Sequence, residues 1–255
     1  MIRRSFLLML ICSMTVFSQQ DKEAFQSGEW LKYRIHYGFV NAGYATLKVD
    51  EAADEQNELF HFVGKGWTVG ITNFFFKVRD TYESFVDKES RHPKHFKRRV
   101  NEGGYKIRRD IYFYPEKKIA KVEDHKKKTI QEVTISKVQD LLSSFYLLRN
   151  SDVEQLQIGE SLDLDLFFDS ETYPFKLIYL GKEVISTKFG KVACYKMRPS
   201  VQSGRVFKEK ESLTLWISSD KNKIPIRIKA SLKVGSIKVD LKQYKGLSHP
   251  FPIIL

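Results

Sequence analysis

SKVQDLLSSFYLLRN, residues 136–150, is the stretch on which the reading of this chain turns. Val138, Leu141, Leu142, Phe145 and Leu148 recur at the spacing of one helical face. Tyr146 and Leu147 widen that stripe. Ser136 and Gln139 match the S-x-x-Q capping pattern, in which each side chain satisfies a backbone N–H at a helix start. Asp140 adds negative charge to the first turn, and Asn150 suits a left-handed stop. The pattern predicts a helix over residues 137–149, about 20 Å long, with Ser143 on its exposed side. Such a helix needs a sheet to lie on.

Strand patterns flank it on both sides. Upstream, Leu31, Tyr33, Ile35 and Tyr37 alternate with Lys32, Arg34 and His36, and Asn41-Ala42-Gly43 reads as the turn of a first hairpin. Residues 59–69 continue the alternation through Gly64 and Gly66, which suggest bulges or close backbone approach. Residues 71–76, ITNFFF, break it and read as a short helical turn carrying an aromatic cluster. Further strands follow at 78–86, 95–100, 105–114 and 118–123, with a short segment at 129–135. Downstream come 161–166, 173–180, 183–188, 192–197, 212–218, 224–232 and 236–244. Tight turns and no βαβ rhythm mean antiparallel pairing. The expectation is an all-β domain at residues 19–255, a strongly curved antiparallel sheet or partly open barrel with one helix on its concave face. Its two strand-rich halves, about 25–135 and 151–246, share that helix. Pro250 and Pro252 bar the tail from a central strand, so it is expected to lie extended along an edge.

The first 18 residues read as a secretory signal: Arg3 and Arg4, an apolar run from Phe6 to Phe17, and a small-residue site at Ser18. The run is shorter than the ~20 residues a spanning helix needs. Ile11 before Cys12 is too large for a lipidation site, so the expected product begins near Gln19 and is exported, periplasmic or secreted, without a lipid anchor. Cys194 is then the one remaining cysteine. It reads as a small buried hydrophobe, with no disulfide available to it.

The 255-residue chain carries a formal charge of +12. Between Arg91 and Lys128 fourteen Lys or Arg meet five acids (Glu102, Asp110, Glu116, Glu123 and Asp124), so most of the excess sits in one segment. One reading makes these cations the solvated faces and protected edges of strands. The other makes them a surface for acidic partners, with Arg98, Arg99, Arg108 and Arg109 as contacts. In an envelope that partner is an anionic lipid headgroup or polysaccharide, and nucleic acid is not expected.

Catalytic and metal motifs are missing: there is no H-E-x-x-H, C-x-x-C, G-x-S-x-G or phosphate-binding loop. His92 and His95 flank Pro93 and Lys94, a poor setting for a metal. Asp163 and Asp165 alternate with leucines as the solvent side of a half-buried strand. No cofactor is implied. Large apolar groups are plentiful, and a concave sheet can either pack them solid or enclose an apolar ligand. If a hollow exists, Trp67, Phe74, Phe75 and Tyr146 are its expected lining, because Gly64, Gly66 and Gly70 thin the sheet around Trp67.

The blocks GEWLKYRIHYGFVNAGYATL, FFFKVRDTYESFVD, DLLSSFYLLR and LTLWISSDKNKIPIRIKASLKVGSIKVDL, in that order, resemble an exported bacterial domain-of-unknown-function family, number 3108. The likeness runs from about Phe25 to Gly246 and brings no catalytic residue with it. More distantly, W-I-S-S-D-x-N-x-I-P-I-R-I from Trp216 to Ile228 is similar to the C-terminal hairpins of LolA/LolB-like lipoprotein carriers. That superfamily wraps a curved sheet around helices and holds acyl chains in the hollow; this chain departs from it in having one clear helix. Three functions follow in order: a non-catalytic binder of a lipid or other apolar envelope ligand, a solid-cored interaction module for an anionic glycan or protein, and an enzyme acting on envelope polymer.

Overall fold

Alternation with a period of two generates strands that join edge to edge in chain order. The computed structural model describes residues 23–55, 58–201 and 213–254, so the leader expected at 1–18 lies outside them. The strands are β1 (Trp30–Tyr37), β2 (Val40–Ala53), β3 (Glu58–Thr68), β4 (Arg79–Asp87), β5 (Pro93–Glu102), β6 (Tyr105–Tyr114), β7 (Ile119–Asp124) and β8 (Thr129–Thr134). They continue as β9 (Val138–Gln139), β10 (Ser161–Phe168), β11 (Glu171–Thr187), β12 (Gly190–Val201), β13 (Leu213–Ser218), β14 (Pro225–Ser231) and β15 (Ser236–Lys245). Helix α1 (Gly70–Phe75) links β3 to β4, and α2 (Leu141–Arg149) links β9 to β10.

Among the described residues these strands form one sheet, ordered β8-β7-β6-β5-β4-β3-β2-β1-β15-β14-β13-β12-β11-β10-β9. The first and last strands therefore pair in the middle, with Trp30 opposite Lys245 and Tyr37 opposite Ile237. The two edges, β8 and β9, are neighbours in sequence. All pairings are antiparallel except that of β9 with β10. Register shifts in β1, β4, β11 and β13 add local bends, as bulges do. The sheet curls around α2, the architecture that the strand patterns and the lone long helix predict.

The inner face is packed. Tyr146 stacks on Phe62 with ring centroids 3.9 Å apart, and Phe25 meets Tyr146 edge-on at 5.0 Å. Phe96, Ile111, Phe113, Val122 and Phe167 continue this cluster under β5 to β10. A second cluster gathers Leu31, Val192, Ile224, Ile226 and Leu241, and a third places Leu177, Met197 and Ile217 beneath Leu148. Gly64 sets how closely the helix can settle, because a Cβ there would lie 3.2 Å from Leu142. Cys194 is buried, and burial pushes its thiol up to about 12, so it acts as a small core residue.

Four local expectations are corrected. The helix spans Leu141–Arg149, not residues 137–149, because Asp140 is the better cap. Its Oδ1 accepts from the backbone N–H groups of Leu142 (2.8 Å) and Ser143 (2.9 Å), while the Ser143 hydroxyl accepts from the Asp140 N–H at 2.8 Å. Residues 136–139 are thereby released to an extended path, and Val138 and Gln139 pair with Asp165 and Leu166 of β10. Ser143, expected exposed, is buried as the other half of this capping box. Asn150 has φ −89, outside the left-handed region; its side chain instead accepts from Ala24 N–H at 2.9 Å. The first hairpin turns at Gly38 and Phe39, where Gly38 takes φ +53, and Asn41 to Gly43 belong to β2.

The tail runs along the end of β12 that β13 leaves uncovered, with Ile254 N–H donating to Lys191 O at 2.9 Å. Phe251 stacks on Tyr244 at 4.5 Å.

Two predictions follow from the helix. Leu141 and Leu142 are adjacent but differ in burial, 41% and 5% exposed: Leu142→Ala costs about 2–5 kcal/mol and Leu141→Ala less than about 0.5, read from denaturant melts. Asp140 also bonds the Ser84 hydroxyl at 2.6 Å, and burial, outweighing its hydrogen bonds, raises its carboxyl from 3.8 to about 6. Asp140→Asn retains the cap, since Asn serves as well there. A raised value favours the folded state at low pH, so wild-type stability relative to this variant is greatest below pH 3.8 and declines as pH rises through about 6. The whole change is on the order of 3 kcal/mol. Melts across that range that give a constant difference would refute the assignment.

Candidate functional site

The buried stripe of α2 runs Leu142, Tyr146, Arg149, and its last member is charged. Arg149 is 2% exposed, and its fork meets Glu29, just before β1, at 2.5 and 2.8 Å. Its remaining donors reach Ala24 O at 2.8 Å and Asn222 O at 2.9 and 3.1 Å. A planar guanidinium is suited to this use, because its donors diverge at fixed angles. Asn222 is itself buried in the β13–β14 turn, where it accepts from His249 N–H and donates to the carbonyls of His249 and Pro250. One side chain thus joins the helix to the N-terminal segment, to β1 and, through Asn222, to the tail.

Two tyrosines border this charge pair. The hydroxyls of Tyr33 and Tyr146 are buried and have no hydrogen-bond partner among the described residues. Burial raises both above the ordinary phenol range, with Glu29 adding to the rise and Arg149 opposing it. Beside Tyr146 a hollow of about 440 Å³ opens between the end of α2 and strands β3 and β4. Phe25, Phe60, Phe62, Val86 and Leu147 supply its apolar wall. Its rim is charged. Arg91 pairs with Glu23 and lies over the Phe60 ring at 5.2 Å, while Lys223 holds Ser151 O at 2.8 Å and Glu154 at 3.5 Å.

Of the four residues expected to line a hollow, Tyr146 alone is in its wall. Trp67 is five residues from inward-facing Phe62 on an unbroken strand, so parity turns it outward. It lies 6.0 Å from Tyr44, with Lys32 over its ring at 5.9 Å. Phe74 and Phe75 are 82% and 77% exposed on α1, which buries none of its residues, and lie at the far end of the sheet.

The four arginines do not share a surface. Adjacent residues on a strand point to opposite faces, so Arg98 and Arg109 turn inward and Arg99 and Arg108 outward. Arg98 and Arg109 reach across to Asp169 at 2.5 and 2.6 Å, and Arg109 also binds Asp124 at 2.9 Å. Arg99 clamps Asp110 at 2.8 and 2.9 Å. Burial raises the Asp110 carboxyl, but the bonds from Arg99 and His125 outweigh it and hold it below its ordinary range. Only Arg108 of the four is exposed.

His95 belongs to an outward stack, 4.3 Å from Tyr112 and 5.7 Å from Phe85, which lies 4.2 Å from His61. Asp163 is exposed and pairs with Lys176 at 2.7 Å. Among the described residues no three His, Cys, Asp or Glu are grouped to hold a metal ion. Sequence reasoning passed over Glu29, Arg149, Phe25, Phe60 and Phe62. The available signal was Arg149, a charge seven residues after Leu142 on the apolar stripe, where it required a buried partner.

A curled antiparallel sheet closed over one capped helix defines a β-barrel-like protein. The chain belongs to the family described as "Protein of unknown function (DUF3108)", whose model matches residues 32–242. Among solved structures it is similar to the crystal structure of a beta-barrel-like protein of domain of unknown function DUF1849 from Brucella abortus, with a TM-score of 0.56. That match covers 87% of this chain and 98% of the other at 11% identity, a likeness of fold. No curated protein matches the sequence.

The ion pair has a direct test. Removing one partner of a buried pair leaves a charge without compensation, at a cost of about 3–5 kcal/mol. Glu29→Leu is therefore expected to lower the denaturation free energy by that amount, and Glu29→Leu with Arg149→Met by less. Equal losses in the two variants would mean that Arg149, once Glu29 is gone, carries no penalty as an unpaired buried charge, which would overturn this reading of the pair.

Proposed function

We propose that this chain is a non-catalytic binding protein of the cell envelope that takes the apolar end of a lipid-like ligand into the hollow beside Tyr146. The observation that carries the reading is a hollow whose wall brings Phe25, Phe60, Phe62 and Tyr146 together beneath a charged rim. Apolar surface with one or two convergent polar groups is how small-ligand sites are built. The volume, about 440 Å³, lies at the low end of the usual range of about 300–1,000 Å³. The centre of the sheet is filled by α2, so a chain enters at the mouth and does not thread the molecule. Arg91 and Lys223 stand at the rim beside Glu23 and Glu154, so the mouth is polar where the wall is apolar. The likeness of the Trp216–Ile228 block to acyl-chain carriers supports the same chemistry. The leader read at residues 1–18 supports an envelope location, without lipidation at Cys12. The rival reading, a solid module with an arginine surface, loses ground because Arg98, Arg99 and Arg109 are committed to carboxylates within the protein.

A lysophospholipid or fatty acid titrated against the protein is expected to raise its melting temperature saturably, since a ligand that binds only the folded state stabilises it, by about 2.7 kcal/mol at a hundredfold excess over Kd. Leu147→Trp, which fills the mouth, is expected to abolish that shift and to leave the unliganded melting temperature nearly unchanged. Trp67, on the outer face, is expected to stay optically silent. No shift with long-chain probes at concentrations well above micromolar would return the fold to the solid-cored reading.

A further inference from the structure

The turns joining β1 to β2, β3 to β4, β5 to β6, β7 to β8 and β14 to β15 all lie at one end of the sheet, because β1 to β8 pair antiparallel in sequence and β15 runs antiparallel to β1. The hollow beside Tyr146 is at the other end, bounded by the β4–β5 and β13–β14 turns through Arg91 and Lys223. The first end carries large apolar side chains in solvent: Phe39 is 101% exposed, Phe74 82%, Phe75 77% and Val234 77%, with Ile71 beside them. Burying none of these groups contributes nothing to the core, and their exposure is costly for solubility.

They form one surface. Tyr37 donates to Val234 O at 2.9 Å, tying the β14–β15 turn to the β1–β2 turn. Val69 N–H reaches Ala42 O at 3.0 Å, which seats α1 beside β2. Phe76 covers Gly103, whose φ is +52 and whose Cβ, if present, would lie 2.4 Å from that ring. This brings the β5–β6 turn and Tyr105 alongside.

Cations surround the apolar groups: Lys77, Lys106, Lys126, Lys127, Lys128 and Lys233 are exposed on these same turns. Two carboxylates at this end are committed inward: Asp80 accepts from Asn101 N–H at 3.0 Å, and Asp124 holds Arg109 together with the N–H groups of Lys126 and Lys127.

We propose that this end of the sheet docks on an anionic lipid bilayer, with Phe39, Ile71, Phe74, Phe75 and Val234 entering the interfacial zone and the lysines resting among the headgroups. Projecting turns offer no groove for a peptide, whereas a plane of headgroups accepts several short projections at once. Aromatic and aliphatic tips ringed by lysine match the interfacial layer, where apolar insertion and charge attraction add. A second copy of the chain is a poor occupant, since it would set lysine against lysine. The arrangement turns the mouth of the hollow away from the membrane.

Flotation with phosphatidylcholine vesicles, with and without phosphatidylglycerol, tests this. The wild type is expected to bind the anionic vesicles, and to release as salt shortens the Debye length from about 10 Å to about 3 Å. Phe74→Asp with Phe75→Asp is expected to weaken binding at least about tenfold, with melting temperature and fatty-acid response unchanged. Phe39→Asp, on a separate turn, is expected to act in the same direction. Lys126→Glu, Lys127→Glu and Lys128→Glu together are expected to remove the salt-sensitive part. Three results would overturn the proposal: no vesicle binding by the wild type, binding indifferent to all the phenylalanine changes, or a concentration-dependent dimer lost in Phe74→Asp/Phe75→Asp without any vesicle binding.

Discussion

Arg149 is the side chain on which the most segments depend. It brings a full charge to the inner end of α2, where water is excluded, and its guanidinium is met by two carboxylate oxygens of Glu29 and two backbone carbonyls. A buried ion pair adds little net stability compared with an apolar packing of the same shape, but it strongly penalises any arrangement that separates the partners. Its value here is positional. The helix cannot slide or rotate by one residue without parting Arg149 from Glu29, and the Asp140 cap fixes the opposite end to Ser84 of β4. A rod held at both ends sets the curvature of the sheet that wraps it, and with it the gap that remains beside Tyr146.

The sequence discloses periodicity well and curvature poorly. The strands, the antiparallel order and the existence of a helix near residue 140 all follow from alternation and spacing. The helix start was misplaced because the Ser136/Gln139 pattern and the Asp140/Ser143 pair both offer a cap, and only burial of Val138 in the core decides between them. Two of the expected lining residues, Phe74 and Phe75, lie on α1 at the far end of the sheet, and a third failed on parity. Trp67 is conspicuous as an indole among glycines, but its register relative to Phe62 sends it outward. Likewise Arg98 and Arg99 look like one basic cluster in the sequence and stand on opposite faces in the sheet. Partners far apart in the chain, such as Glu29 with Arg149 or Arg98 with Asp169, depend on how tightly the sheet curls, which no local pattern encodes.

The two ends of the molecule differ in chemistry. Around the hollow, Arg91, Arg149 and Lys223 each have a carboxylate partner and the apolar groups are inside. At the other end the apolar groups are outside and the cations outnumber the acids. A sheet that keeps the charges of one end paired while leaving the other greasy and positive is oriented as a whole, and the two proposed contacts do not compete for the same residues.

The pairing of β1 with β15 at the centre of the sheet also bears on how the chain reaches this state. A chain that emerges N-terminus first presents β1 and its successors long before β15 exists, so one side of β1 remains an open edge until nearly the whole polypeptide is free. Such an edge is a template for mispairing, and contacts between distant segments make folding slow. The helix anchor has the same timing, because Asn222 must arrive before Arg149 is fully satisfied. The β1–β8 meander can assemble early, but the two halves of the sheet are joined only when the last strand slots in beside the first. Protection of the half-built sheet during that interval is a demand this topology makes of the cell.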